Sequence, residues 1–327
     1  MRISLVSLIV CLAVSPVLSA QDIPPEDTVR LNEFYRLAPQ IEDSLWPGLS
    51  RVPAPILLVT QQKEFLMHFP VQPPGFTPVA DGILARPRVF GANLQATFPA
   101  FGPPSVIVIG EPTATESKTS TPWEIVLMHE HFHQLQYSVA GYTAAVNGLG
   151  LSHGDDTGMW MINYPFPYAD PRVVHDFNLL RNQLLATVRE TDPKRFRKAA
   201  RQYIQMRDRF FAQLSPDDRK YLSFQLWQEG IARYIQIKAA EAAAGYTPTA
   251  AYAGLPDYEP FSSYAAHARA DTLDELQKIN IASARRVIVY SFGATEGLLL
   301  DRINPQWKDD YLKHPLFTED FFRFSTQ

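Results

Sequence analysis

The spacing of apolar positions changes character twice along the chain. Over 27–37 they recur at a loose helical interval, which predicts a helix there. Residues 51–110 differ: short runs rich in Val, Ile and Phe, bounded by Pro and Gly, fall at 55–60, 64–69, 79–84 and 105–109. Such runs predict a small, mostly antiparallel sheet. The polar loop GEPTATESKTST at 110–121 leads into a helix opening at Thr121. With Thr121 as N-cap, Pro122 at the first helical position and Glu124 at the third, that opening reads as a capping box. Helical periodicity then dominates, over 172–190, 193–213, 217–243, 271–302 and a short 306–313. It is interrupted at 141–171, where Gly, Pro and aromatic residues crowd together. The order predicts an α+β protein with one cleft between two lobes. A sheet subdomain ending in the central helix would occupy 21–140, and a helical subdomain 141–327.

Bulk properties narrow the picture. At 327 residues, with 46% hydrophobic and 20% charged, the chain has ordinary globular composition and can bury a full core. A net charge of −4 supplies no field that would favour nucleic acid or an anionic membrane. Met1-Arg2, an almost wholly apolar stretch from Ile3 to Val14, and Ser15 to Ala20 before polar Gln21-Asp22 read as a secretory signal peptide over 1–20. The expected product is periplasmic or secreted, with no stable membrane insertion after cleavage; a retained short anchor is the alternative. The apolar run is too short to span a bilayer comfortably. Cys11 is the single cysteine and falls in this segment, so the mature chain would have no disulfide, thiolate ligand or cysteine nucleophile.

The candidate chemistry lies in VLMHEHFHQLQ, 126–136. His129, Glu130 and His133 satisfy H-E-x-x-H. Helical residues advance by about 100° each, so His129 and His133 lie about 40° apart, one turn above the other. Both imidazoles can then reach one Zn²⁺, and Glu130 can overlook the open position as a base without being a ligand. His131 points roughly the opposite way and cannot share the ion. Ile125, Met128, Phe132, Leu135 and Val139 form a separate core-facing stripe.

A catalytic zinc usually takes three protein ligands. The metzincin continuation needs Gly and His where this chain has Gln136 and Val139, which excludes that branch. A carboxylate on a later helix remains. Glu229 in LWQEGIARYIQ (226–236) is the leading candidate, because Gly230 and Ala232 would let its helix approach the first one closely. Arg233, one turn on, would orient Glu229 or hold a substrate carboxylate. Glu190, Asp155 and Asp156 are rivals.

H-E-x-x-H on one helix with EGIARY on a later one resembles the gluzincins, the thermolysin-like and aminopeptidase-like zinc peptidases. The resemblance implies a zincin-like fold, His129, His133 and Glu229 as zinc ligands, Glu130 as catalytic base, and a peptide or protein substrate. The gap of 96 residues from His133 to Glu229 is longer than in the best-known members, so the helices between would be an insertion. The family also uses a downstream Tyr or His to support the oxyanion. Tyr290, ahead of Gly293 and Gly297, is the first choice for that role, with His267 and Tyr264, expected on a loop, as weaker ones. One of the stretches 93–100 and 105–110 would be an edge strand beside the cleft, able to pair with an extended peptide. Residues 153–168, with Trp160, Tyr164, Phe166 and Tyr168, would line or cover it, and the basic run 192–209 is the solvated face of an amphipathic helix. The expected function is an exported zinc metallopeptidase. The alternative is a catalytically inactive binding or structural module stabilised by zinc.

Overall fold

The computed structural model describes residues 23–324, so the predicted signal segment and Cys11 lie outside the described residues. The first helix, α1 (Pro25–Leu45), buries Leu31, Phe34, Leu37, Ala38, Ile41 and Leu45. The apolar stripe continues through Pro39, which is why α1 outlasts its predicted end at 37. Six strands follow: β1 (Ile56–Val59), β2 (Lys63–Met67), β3 (Thr77–Ala80), β4 (Ile83–Pro87), β5 (Gln95–Phe98) and β6 (Val106–Gly110). They form one sheet in the order β3-β4-β2-β1-β6-β5. Only β1 and β6 pair in parallel; the other pairs are antiparallel. The single strand expected over 79–84 is instead a β3–β4 hairpin, because Asp81-Gly82 turns the chain, with Gly82 at φ 67°.

Side chains alternate across the sheet as period two requires. Ile56, Leu58, Phe65, Met67, Ile107 and Ile109 face the helices and join a core that runs from Leu31 to Phe322. Leu57, Val59, Leu66, Val106 and Val108 form a smaller cluster with Phe76 on the other face.

The central helix, α2 (Ser120–Ser138), is buried on nearly every side. Its N-terminus corrects the expected capping box. The N-cap position is Thr119, without a side-chain cap, and the Thr121 hydroxyl donates to the Glu259 carbonyl at 2.5 Å. Glu124 is fully buried, and among the described residues neither carboxyl oxygen has a hydrogen-bond partner. Burial, reinforced by the charge of Glu33 against the weaker opposition of Arg30, raises its pKa well above 4.5. Folding therefore takes up a proton at Glu124 once the unfolded carboxyl ionises. Stability should be full below about pH 4.5 and fall as pH rises toward the folded pKa. Glu124→Gln keeps the shape without the titration, so urea denaturation from pH 4 to 8 should show a flatter stability profile and a gain at the alkaline end.

The remaining helices are α3 (Tyr142–Gly148), α4 (Trp160–Asn163), α5 (Pro171–Arg189), α6 (Pro193–Gln213), α7 (Pro216–Gln225), α8 (Ile231–Ala243), α9 (Ala250–Ala253), α10 (Phe261–Lys278), α11 (Ile281–Ala284), α12 (Ile288–Ile303) and α13 (Trp307–Tyr311). Helices α5, α6 and α7 each start with a side-chain N-cap followed by Pro: Asp170, Asp192 and Ser215 accept bonds from backbone N–H groups of the first turn. The basic residues Lys194, Arg197, Lys198 and Arg201 of α6 are exposed, opposite buried Phe196, Ala200, Tyr203 and Phe210.

Two predicted helices need correction. The one over 217–243 contains a π-turn, Leu226–Gly230, between α7 and α8. The one over 271–302 is three helices, interrupted after Lys278 and again at Arg285, whose φ is 51°. Tyr264 and His267, expected on a loop, lie on α10.

No helix among the described residues is long and apolar enough to cross a membrane.

Candidate metal centre

One turn apart on α2, His129 and His133 turn their Nε2 atoms toward each other at 3.1 Å. The π-turn brings Glu229 to the same point, with Oε2 at 3.4 Å from His133 Nε2 and 3.8 Å from His129 Nε2. Among the described residues this is the one trio of His, Cys, Asp or Glu side chains whose ligand atoms converge. The spacing can be tested against zinc. Bonds of about 2.0–2.2 Å at a tetrahedral angle put donor atoms about 3.3–3.5 Å apart. Observed separations of 3.1, 3.4 and 3.8 Å bracket that range, so the trio fits a small tetrahedral cation. Two buried imidazoles and one half-buried carboxylate are also a donor set suited to zinc.

Electrostatics agree with a carboxylate that is ionised. Burial works against its charge, but His133 and Arg286 outweigh it and hold Glu229 well below the usual carboxylate range. Burial likewise opposes charge on His133, where Glu229 prevails and pushes the imidazole up to about 9. At His129 burial prevails and lowers the pKa. A cation entering here must displace the His133 proton.

What holds the trio was only partly legible. Gln136, one turn beyond His133 and fully buried, accepts from His133 Nδ1 at 2.6 Å through Oε1. Its Nε2 lies 3.1 Å from the Trp227 carbonyl and 3.0 Å from that of Gln228, both in the π-turn. A π-turn disturbs the i to i−4 ladder. Gln136 thus satisfies carbonyls beside Glu229 while fixing the tautomer and orientation of His133, as partners of ligating histidines commonly do. His129 Nδ1 has no such partner among the described residues; its ring packs edge-on against His133 at 4.8 Å and beside Tyr290 at 6.3 Å. Gln136→Ala should weaken metal affinity about 10- to 100-fold, measured by competition with a chromophoric chelator.

Arg286 was not anticipated. Its Nη2 donates to Glu229 Oε1 at 2.7 Å, its Nη1 to the Tyr290 hydroxyl at 3.0 Å, and its Nε to Gln225 at 2.8 Å. It takes the place expected of Arg233, which instead bonds Gln236 and Glu275. Arg233 is held on the α10 side of its helix by those partners, whereas Arg286 reaches Glu229 from the turn before α12. Gly230 also faces another way than expected. It packs against α12, where an added Cβ would lie 2.7 Å from Gly293 Cα. That close crossing brings α12, and Tyr290 one turn earlier, to the centre.

Glu130 stands beside the trio without joining it. The Thr97 hydroxyl of β5 lies 2.8 Å from Glu130 Oε2 and 3.0 Å from the Glu130 carbonyl, tying the carboxyl to the sheet. β5 is a terminal strand, whereas β6, within the other candidate stretch, is paired on both sides. The Tyr290 hydroxyl accepts from Arg286 and feels the charges of Glu229 and Glu130; burial raises its pKa most, and Arg286 opposes. Tyr137, one turn after His133, feels the same two carboxylates, though burial is the larger cause lifting it to about 12.

The other candidates lie elsewhere. His131 is fully buried between Gln134, at 2.8 Å, and Glu42 of α1, at 3.2 Å. Glu190 caps the turn before α6 and pairs with Arg195. Asp155 accepts from Thr157 and Trp160 within its own loop, and His267 pairs with Asp271 and Glu259 at the surface. No protein-family model, curated protein or solved structure matches the chain.

Proposed function

We propose that the chain is an exported zinc-dependent metallopeptidase of the gluzincin kind, on a zincin-like fold. The observation that carries this reading is the convergence of His129 Nε2, His133 Nε2 and Glu229 Oε2, with the Glu130 carboxyl beside them and outside the trio. His129, His133 and Glu229 would hold zinc, whose chemistry is to acidify a water and polarise a carbonyl oxygen.

The chain's own groups supply the rest. Glu130, anchored by Thr97, is placed to accept the proton of the attacking water and return it to the leaving amine. Tyr290 accepts from Arg286, which leaves its own hydroxyl hydrogen free to donate to a developing oxyanion. The outer edge of β5 can take an extended peptide as an added strand, which would lay a backbone along the Glu130 side of the centre. Export rests on the sequence of residues 1–20.

The test is direct. Protein prepared in metal-free buffer and titrated with zinc should bind one equivalent and cut members of a peptide library. A chelator should abolish cleavage, and added zinc should restore it. Failure to bind zinc overturns the reading. Tight zinc binding that raises the melting temperature, with no peptide ever cut, would replace it with a module stabilised by zinc.

A further inference from the structure

Behind Arg286 the protein has a second feature that the metal centre does not use. A cavity of about 480 Å³ is lined by Ile162, Tyr164, Phe166 and Tyr168 and, from a distant part of the chain, by Arg285 and Arg286. Arg286 belongs to both places: it lines this cavity while its Nη2 touches Glu229. One guanidinium therefore separates the cavity from a ligand of the centre.

The aromatic wall is preformed. Tyr164 stacks on Tyr221 at 4.3 Å, Phe166 packs on Tyr168 at 4.8 Å, and Tyr221 is tied to the Met161 carbonyl at 2.9 Å. Ile162, 55% exposed, adds an apolar rim.

The cationic part of the lining is underused. Arg286 spends one N–H each on Gln225, Tyr290 and Glu229, and so keeps two of its five. Arg285 is exposed, and its guanidinium makes no hydrogen bond or ion pair among the described residues. Among the described residues Asp170 is the one carboxylate on the cavity, and its Oδ1 is engaged by the Arg172 and Val173 N–H groups at the start of α5. Burial raises the Tyr168 hydroxyl, while the charges of Arg286 and Arg285 oppose it, so both cations act on the same wall.

The backbone adds an independent sign. Arg285 sits at φ 51° and ψ −128°, a region that suits Gly and costs other residues about 1–3 kcal/mol. Strain of this kind concentrates at binding sites. Gly would relieve it, yet the position carries an arginine that lines an aromatic cavity.

We propose that this cavity is a subsite for a carboxylate next to an apolar or aromatic group, with Arg285 as the principal anion-binding residue and Arg286 as its partner. Resting on the metallopeptidase reading, it names the substrate class: peptides presenting a carboxylate within a residue or so of the scissile bond. That carboxylate is either the free C-terminus or an acidic side chain.

The test uses chelator-treated protein, so that no metal competes for the carboxylate. Binding of N-acetylphenylalanine, N-acetylphenylalaninamide and N-acetylaspartate N-methylamide is measured by calorimetry. N-acetylphenylalanine should bind at least about tenfold more tightly than its amide, because a charge-assisted pair with a guanidinium is lost. Arg285→Gly, which also suits the backbone and so preserves the fold, should bring the two to the same weak affinity. Tighter binding of the aspartate derivative than of N-acetylphenylalanine assigns the site to an acidic side chain; the reverse assigns it to a C-terminus. Equal binding of acid and amide, or wild-type affinity in Arg285→Gly, overturns the proposal. Carboxylate binding here without peptide cleavage by the zinc-loaded protein would instead remove the peptidase reading and leave the subsite standing.

Discussion

Glu130→Gln is expected to keep one equivalent of zinc and to lose peptide hydrolysis by about 10²- to 10⁴-fold, the usual contribution of a positioned general base. Metal retention follows from geometry, since among the described residues the converging donors belong to His129, His133 and Glu229 alone. The fold should hold as well. Glu130 is 5% exposed, and the amide oxygen of Gln can still accept from Thr97. What disappears is the capacity to take a proton. Metal content by mass spectrometry and initial rates on one library-selected peptide, measured on the same preparation, separate the two effects. Loss of zinc in the variant would mean that Glu130 is a ligand. Undiminished hydrolysis would mean that another group is the base.

Glu296→Ala, away from the centre, is expected to destabilise the protein by about 3–5 kcal/mol, because it strands a buried cation. Arg207 and Glu296 are each 1% exposed, and Arg207 Nε donates to Glu296 at 2.7 Å. The Tyr203 hydroxyl donates to the same carboxyl oxygen, Arg207 Nη2 reaches Thr318 at 3.2 Å, and the guanidinium is sandwiched 4.3 Å from the rings of both Phe211 and Phe322. One network thus ties α6, α12 and the C-terminal segment together. Burial alone would lower the Arg207 pKa; Glu296 and then Glu319 outweigh it and raise it. Removing Glu296 leaves the charge without its main partner. Arg207→Met combined with Glu296→Leu should recover most of the loss, because apolar pairs of similar volume replace buried ion pairs at little cost. Urea denaturation of the two single variants and the double checks this. A Glu296→Ala protein within about 1 kcal/mol of wild type would show that water reaches Arg207.

How far the site was legible follows the range of each interaction. The pairing of His129 with His133 and the separate position of Glu130 are consequences of helical pitch within five residues, and they were readable from spacing. Gln136 and Tyr137, at three and four positions beyond His133, carried the same local signal and could have been found from it. Thr97 and Arg286 carried none. They lie 33 residues from Glu130 and 57 from Glu229, and nothing in their own neighbourhoods marks them.

By itself, then, the sequence determined what short-range physics decides. It set an α+β order with a small, mostly antiparallel sheet ahead of the helices, Pro-marked starts for α5, α6 and α7, and two imidazoles on one face of a buried helix. Tertiary structure decided the partners. It chose Glu229 over Glu190 and the loop aspartates, because the π-turn aims that carboxylate at the histidines and Gln136 holds the turn in place. It exchanged Arg233 for Arg286, because Gln236 and Glu275 hold Arg233 while the Gly230–Gly293 crossing brings α12 close. A one-residue change in helical phase and a contact between two distant glycines leave almost no trace in local periodicity, so only the packed chain could reveal them.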